Sequence, residues 1–582
     1  MQEQNMVKEK GNTFLFAACF VALVATSFAF IIRVMLLGEW QIAFGLSETQ
    51  KGEILGAGMW PFGLSIVLFS LVIDRVGYGR SMIFAFVCHL LSAILMVTAR
   101  GSSGYAFLYF GSFLNGLAAG TVEAAINPPI AAMYPNQKTK MLSILHAGWP
   151  GGFVLAGIVI MFMGSLDWHI KAAIILVPVI AYGIMLLRCK FPVSERVAAG
   201  VSYKEMLQEP GALGAAIVLY MLLSEIFRVT NIPLFMLGGL SMSVTISTLL
   251  LSGAYYNYTR SLGKPMYIFL LLIMILLATT ELGTDSWIKE LMGPAMATVN
   301  LDSGWIIIYT AFIMMVLRFC IGPIERLLQP LGVLLASSLF AAVGLFFLSK
   351  SHGFMILIMA TIYGTGQCFF WPVTLGLVAE QFPKGGALTL NAIAGVGMLG
   401  VGIVGAQWLG YLQDTQIDKT LKSQGVMYER LMDQTERRSI FANYRALDSR
   451  VVNEIQDKVI LYNYVKDHGE NIGALADDSA FQTHVRNAYD HLCRTPDDTS
   501  VRSHEEMLQA LDAQGVFLDA AGYAVIQSEK EVLDKTTTLA KQNAMSTVAI
   551  LPIIMACCYL GLILYFRSQG GYKAVALDTS AK

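Results

Sequence analysis

Apolar runs of about twenty residues recur through most of this 582-residue chain. A run of that length is what a helix needs to cross the hydrocarbon of a bilayer. Inside lipid every backbone N–H and C=O has to be satisfied within the protein, which leaves helices and closed barrels. Candidate spans lie near 13–37, 52–73, 81–99, 104–130, 143–165 and 170–188. Two further apolar segments follow near 211–236 and 240–257, then spans near 264–282, 302–323, 331–349, 354–378, 386–411 and 544–566. The order reads as six, an extra pair, and six. The run at 13–37 is too long for a signal-peptide core and reads as a retained first span.

Charge is distributed as this pattern requires. Charged residues are only 14% of the chain, and 37 of the 81 (22 acidic, 15 basic) fall in positions 413–543. An average soluble domain carries roughly 25%. The composition excludes a disordered chain and an ordinary cytosolic enzyme, and the net charge of -1 offers nothing to nucleic acid. The expected divisions are 1–190, a six-helix bundle; 191–263, a linker and extra membrane hairpin; 264–412, five helices of a second bundle; 413–543, a helical insertion outside the membrane; and 544–582, the last span and tail. Lys and Arg concentrate in one set of short loops, among them Lys138, Lys140, Arg188, Arg326 and Lys384. By the positive-inside rule both termini are cytoplasmic and the insertion is extracytoplasmic. The hairpin then enters and leaves on the cytoplasmic side. The cysteines form no C-x-x-C pair and no zinc spacing.

The two halves repeat. Gly-Thr-Val-Glu123-(x3)-Asn127-Pro128, followed by Leu-His146-Ala-Gly-Trp149, has a counterpart about 244 residues on: Gly-Thr-Gly-Gln367-(x3)-Trp371-Pro372, followed by Leu-Asn391. Asp74-Arg75 and Glu325-Arg326 stand about 251 apart. Parallel six-span repeats are a transporter design with the solute site between the halves. In the insertion, Ile440, Tyr444, Leu447, Val451, Ile455, Val459 and Tyr462 recur at helical spacing. Ser503-His-Glu-Glu506 has the form of a capping box.

Asp74-Arg75-Val-Gly77-Tyr-Gly79-Arg80 ends the second span. It resembles the signature loop of the major facilitator superfamily, with Ser70 at the first Gly and Tyr78-Gly79 displacing one Arg. The resemblance implies gating: Asp74 capping a helix end, with Arg75 and Arg80 pairing across the cytoplasmic seam. Glu123-(x3)-Asn127-Pro128, with the next span opening Leu-Ser-Ile-Leu-His146, resembles the fucose permease branch of that superfamily. The resemblance implies a proton-handling role for Glu123 and a neighbouring polar role for Asn127. That branch has an aspartate in its first span, where this chain has Arg33.

A carboxylate at mid-membrane costs roughly 2.5–3.5 kcal/mol on insertion scales, so Glu123 is expected to face a polar cavity where it can exchange a proton. His146 is a second proton-carrier candidate, with a satisfied core histidine as the alternative. Arg33 is open to three readings: pairing with Glu123, holding an anionic solute, or snorkelling to the outer interface. Trp149 and Trp371 are candidate platforms for a sugar face, with packing as the alternative; Asn127, Gln367 and Asn391 are candidate hydrogen-bonding groups for the solute. Glu281 and Asp285, four apart, share a helix face at the outer end of the seventh span. They fit an outer vestibule, the binding of solute hydroxyls, a cation such as sodium, or a solvated helix end.

These readings define an all-α polytopic membrane protein of two six-helix bundles, with a helical hairpin and a soluble α-helical insertion. The expected function is secondary transport, proton-coupled symport of a sugar or similar small polar solute. A sodium-coupled or uncoupled carrier is the nearer alternative; a sensor or scaffold that binds a protein partner through 413–543 is the further one. No cofactor, metal or catalytic set is expected, and no nucleic-acid partner. A monomer in a bacterial inner membrane is the expected setting.

Overall fold

The computed structural model describes residues 2–577, except 45, 47, 165, 231–235, 238–239, 285–303, 352–353, 423–425, 437–442 and most of 469–519. Asp285, Ile440 and the Ser503–Glu506 box lie outside the described residues. The chain forms two compact units. One comprises Met1–Leu37, Glu48–Leu409 and Met545–Lys582; the other comprises Gly38–Ser47 and Gly410–Ala544.

Among the described residues, the apolar segments read from the sequence lie mainly on helices. Eleven helices among the described residues are long and apolar enough to cross a membrane, and Ile308–Phe319 is a shorter apolar helix. Proline sits in the first turn of the helices Trp60–Val76 and Pro265–Ala278, where its missing N–H costs nothing. The loop read near 324–330 is instead helical: Ile321–Leu348 continues through it with one break at Gln329 (φ 56°), before Pro330. Proline there removes a donor and kinks the helix.

Helix pairs approach through glycine. A Cβ on Gly344 would lie 2.5 Å from the Tyr363 backbone nitrogen, and one on Gly366 would lie 2.3 Å from that of Ala341. The helices Ile321–Leu348 and Met355–Gln367 therefore touch backbone to backbone, as small residues permit in membranes.

The extra hairpin consists of the helices Gly211–Val229 and Met242–Thr259, with a two-residue antiparallel pairing of Met236–Leu237 and Leu240–Ser241 between them. Its ends meet. Ala212 N donates to Ser261 O at 3.0 Å, and Lys264 N to Glu209 O at 2.9 Å. The hairpin thus enters and leaves at one place.

The second unit has its own apolar core of Ile417, Leu421, Leu431, Met432, Ile455 and Ala540. Its helix Ser449–His468 begins later than the periodicity suggests. Tyr444 and Leu447 precede it, and Leu447 bridges to Met432 instead. Asp448 sets the start, since its carboxylate accepts from Arg450 N at 2.9 Å.

Candidate functional site

Within the first unit lies a cavity of about 380 Å³. Glu123, His146 and Trp149 contribute from one half of the repeat; Glu281, Arg318, Gln367 and Trp371 contribute from the other. Glu123 and Gln367, matched in the sequence repeat, thus line one cavity from different halves. The aromatic wall is Phe30, Trp149 and Phe153, with ring centroids 5.7–5.9 Å apart.

Glu123 is 3% exposed. Its Oε2 accepts from Asn127 Nδ2 at 2.8 Å. Asn127 Oδ1 lies 3.1 Å from His146 Nε2, and that imidazole nitrogen is 3.9 Å from Glu123 Oε2. With the amide oriented this way, Nε2–H of His146 donates to Asn127, which donates to Glu123. Asn127 is not a wall residue; it links two that are.

Glu281 is not at a solvated helix end. It is 4% exposed and lies in a π-helical turn, Thr279–Gly283, on the cavity wall. Such turns re-aim side chains and occur often at functional sites. Its Oε1 accepts from Arg318 Nη2 at 3.2 Å.

Arg318 is the residue that sequence reasoning missed. Besides Glu281, it donates from Nε to Cys368 O at 2.7 Å and from Nη1 to His146 O at 2.8 Å. One guanidinium therefore joins the two halves at the cavity. The available signal was a cation within the apolar run of Gly304–Phe319. It stands in the last turn of that helix.

Arg33 is fully buried, which overturns the snorkelling reading, and it makes no ion pair with Glu123 among the described residues. Its guanidinium lies 5.3 Å from the Phe30 ring centroid and against Gly58, a wall residue. Asn391 is also buried but does not line the cavity; its Nδ2 donates to Ala124 O at 3.1 Å, tying the halves together.

The signature loop is arranged differently from the expected gate. Asp74 Oδ2 accepts from Arg196 Nε at 3.0 Å and Nη2 at 2.6 Å, in the linker after the first six helices. Arg75 lies over the Tyr203 ring at 4.9 Å, and Arg80 is exposed. Neither pairs across the seam among the described residues. That seam is closed instead by Lys138 Nζ on Ala379 O (3.2 Å) and Thr139 Oγ1 on Glu380 Oε1 (2.6 Å). Arg75 ends the helix Trp60–Val76 and Arg80 begins Tyr78–Thr98, with only Gly77 between the two helices, while the short 134–137 turn carries Lys138 and Thr139 across.

Residues 14–406 match the family model of the Major Facilitator Superfamily. The chain belongs to that superfamily. Membership makes this facilitator a multi-pass membrane protein and a secondary transporter. A solved structure shares its fold. The proton:xylose symporter XylE, bound to 6-bromo-6-deoxy-D-glucose, aligns with a TM-score of 0.52 at 14% identity, over 72% of this chain and 91% of its own. FucP in the outward conformation aligns with a TM-score of 0.49 at 15% identity, over 69% and 92%. At these identities the likeness is one of fold alone. No curated protein matches the facilitator.

Proposed function

We propose that this facilitator moves a small polar solute, of sugar-like size and chemistry, together with a proton, and that Glu123 carries the proton. The observation that carries this reading is the contrast between the two cavity carboxylates. Glu281 is paired with Arg318. Glu123 forms no ion pair with Lys or Arg among the described residues; Asn127 and the nearby His146 are its contacts, and the Arg318 charge acts on it only from a distance. A buried carboxylate without a direct ion pair is costly, and a proton removes that cost. A hard cation wants several oxygen ligands, whereas the neighbours of Glu123 offer one amide and an imidazole. His146 then serves by orienting Asn127.

The solute is placed against the Phe30, Trp149 and Phe153 wall, in the cavity that Asn115, Gln367 and Trp371 also line. Asp74 with Arg196, and Lys138 with Glu195 (2.7 Å), hold the closed end. The cross-half bonds of Thr139, Arg318 and Asn391 break when the cavity changes sides. Both termini are placed in the cytoplasm of a bacterium and the insertion outside, free to meet a protein partner.

Proton movement tests this directly. Adding the transported solute to proteoliposomes that hold a trapped pH dye should acidify the lumen with wild type. Glu123→Gln should abolish the signal at unchanged protein content. Acidification that survives in Glu123→Gln would remove the glutamate from the coupling role.

A further inference from the structure

We propose that the tail after the last helix is a latch on the closed seam, with Tyr572 holding the Glu380 carboxylate in place for Thr139. The proposal goes beyond the transport reading and needs neither its solute nor its proton. Thr139 stands on one half and Glu380 on the other, and their 2.6 Å hydrogen bond crosses the seam. The same carboxylate has a second donor. Tyr572 Oη donates to Glu380 Oε2 at 2.6 Å. Glu380 is buried, and a buried carboxylate with both oxygens hydrogen-bonded is held in one orientation.

The tail is built to stay there. After the helix Ile550–Ser568 come Gly570 (φ 88°) and Gly571 (φ 99°), a backbone that glycine adopts readily and other residues do not. Gly571 N donates back to Phe566 O at 2.8 Å, and the Tyr572 ring meets Phe566 edge-on with centroids 5.1 Å apart. The chain thus turns off its helix and onto the end of the helix Phe370–Gln381. The last carbonyls of a helix lack intrahelical donors. Val575 N supplies one, donating to Glu380 O at 2.8 Å, and Gln381 Nε2 donates to Lys573 O at 2.9 Å. Burial, and then the Glu380 charge, hold the Tyr572 phenol above its ordinary value, so it stays a donor.

The other side of the carboxylate holds the halves together. One turn before Glu380, a Cβ on Gly376 would lie 2.5 Å from Thr139 Cα, so the two backbones touch. Lys138 Nζ reaches Ala379 O beside them. This seam has to part when the cavity opens at this end. A carboxylate already fixed by Tyr572 loses less freedom when Thr139 docks on it, so the tail favours the closed seam. When Thr139 leaves, Glu380 keeps Tyr572 and is not left bare.

Hydrogen exchange read by mass spectrometry tests the latch, on purified full-length protein in nanodiscs with no solute and no pH gradient. Tyr572→Phe removes the hydroxyl and keeps the ring on Phe566. Exchange should rise over residues 370–390 and, on the other half, over 138–145, by about tenfold, the size expected for one lost bond to a buried carboxylate. Thr139→Ala, which breaks the other bond to that carboxylate, should also speed exchange over 370–390. Residues 99–108, at the far end of the helix Gly104–Met133 from Lys138, should exchange no faster in either variant. Faster exchange confined to 370–390 and the tail, with 138–145 at the wild-type rate, would mean that the tail caps its own half only and would overturn the proposal. A rise spread evenly over the chain, or no change, would overturn it as well. Should Tyr572→Phe not fold, a chain ended after Gly571 reads the same peptides with the same expectations. Since no solute or gradient enters the assay, loss of the coupling role of Glu123 leaves this result untouched, and loss of the latch leaves the transport reading standing.

Discussion

Arg318 satisfies three acceptors with one side chain: a carboxylate on its own half, a carbonyl on its own half and a carbonyl on the other. Removing it strands Glu281 in the cavity wall, and breaking a buried pair typically costs about 3–5 kcal/mol. Arg318→Leu should therefore lower the melting temperature sharply, and adding Glu281→Gln should restore part of the loss. A double-mutant cycle by thermal unfolding in detergent reads this coupling. Equal, additive losses would mean that the pair contributes no joint stability. At this scale the sequence was uneven. Glu123 was legible because an acid deep in an apolar run has one affordable environment, a polar cavity. Arg33 and Arg318 were harder because arginine can snorkel, and only packing shows whether it does. For Glu281 the spacing left a solvated helix end open, because carboxylates near a span end usually reach water and the π turn that holds this one leaves no mark in residue spacing.

Helix contacts in the first unit depend on missing side chains. Gly344→Ala would press a methyl into the Tyr363 backbone, which cannot rotate away. Overpacking of this kind costs about 1–3 kcal/mol. Thermal unfolding should show that loss, while Gly561→Ala, with nothing within 4 Å, should show none. A normal melting temperature for Gly344→Ala would mean that the two helices separate readily. In the insertion, Asp448 starts its helix. Its carboxyl is held below the ordinary range, first by the Arg450 side chain and then by the Arg450 backbone N–H. An acid depressed on folding contributes stability that is complete above its unfolded value, about 3.9, and fades as pH falls through the folded value. The difference in unfolding temperature between wild type and Asp448→Asn should be present at pH 6 and shrink below about pH 4. A difference that grows on acidification would reverse the assignment. Element existence was readable because apolar length is a strong signal. The boundary at Asp448 was not, because Tyr444 and Leu447 keep the helical spacing while a capping acid ends the helix behind them.

Over the whole molecule, a sequence repeat becomes a cavity walled by both halves. The matched pair Glu123 and Gln367 faces it, while the matched pair His146 and Asn391 splits: His146 lines it, and Asn391 binds the Ala124 carbonyl beside Glu123. Repeat symmetry thus locates the site but leaves the division of labour to packing. The closed seam held by Lys138 and Thr139 was likewise hidden, since it joins residues about 241 apart. The central claim is that Glu123 couples solute movement to protons. Gradient-driven accumulation and counterflow, measured on the same proteoliposomes for wild type and Glu123→Gln, test it most directly. Counterflow needs only that the loaded carrier change sides, whereas accumulation needs the proton to leave. The account predicts that Glu123→Gln keeps counterflow and loses accumulation under an imposed pH gradient. Accumulation at the wild-type level in Glu123→Gln would contradict it.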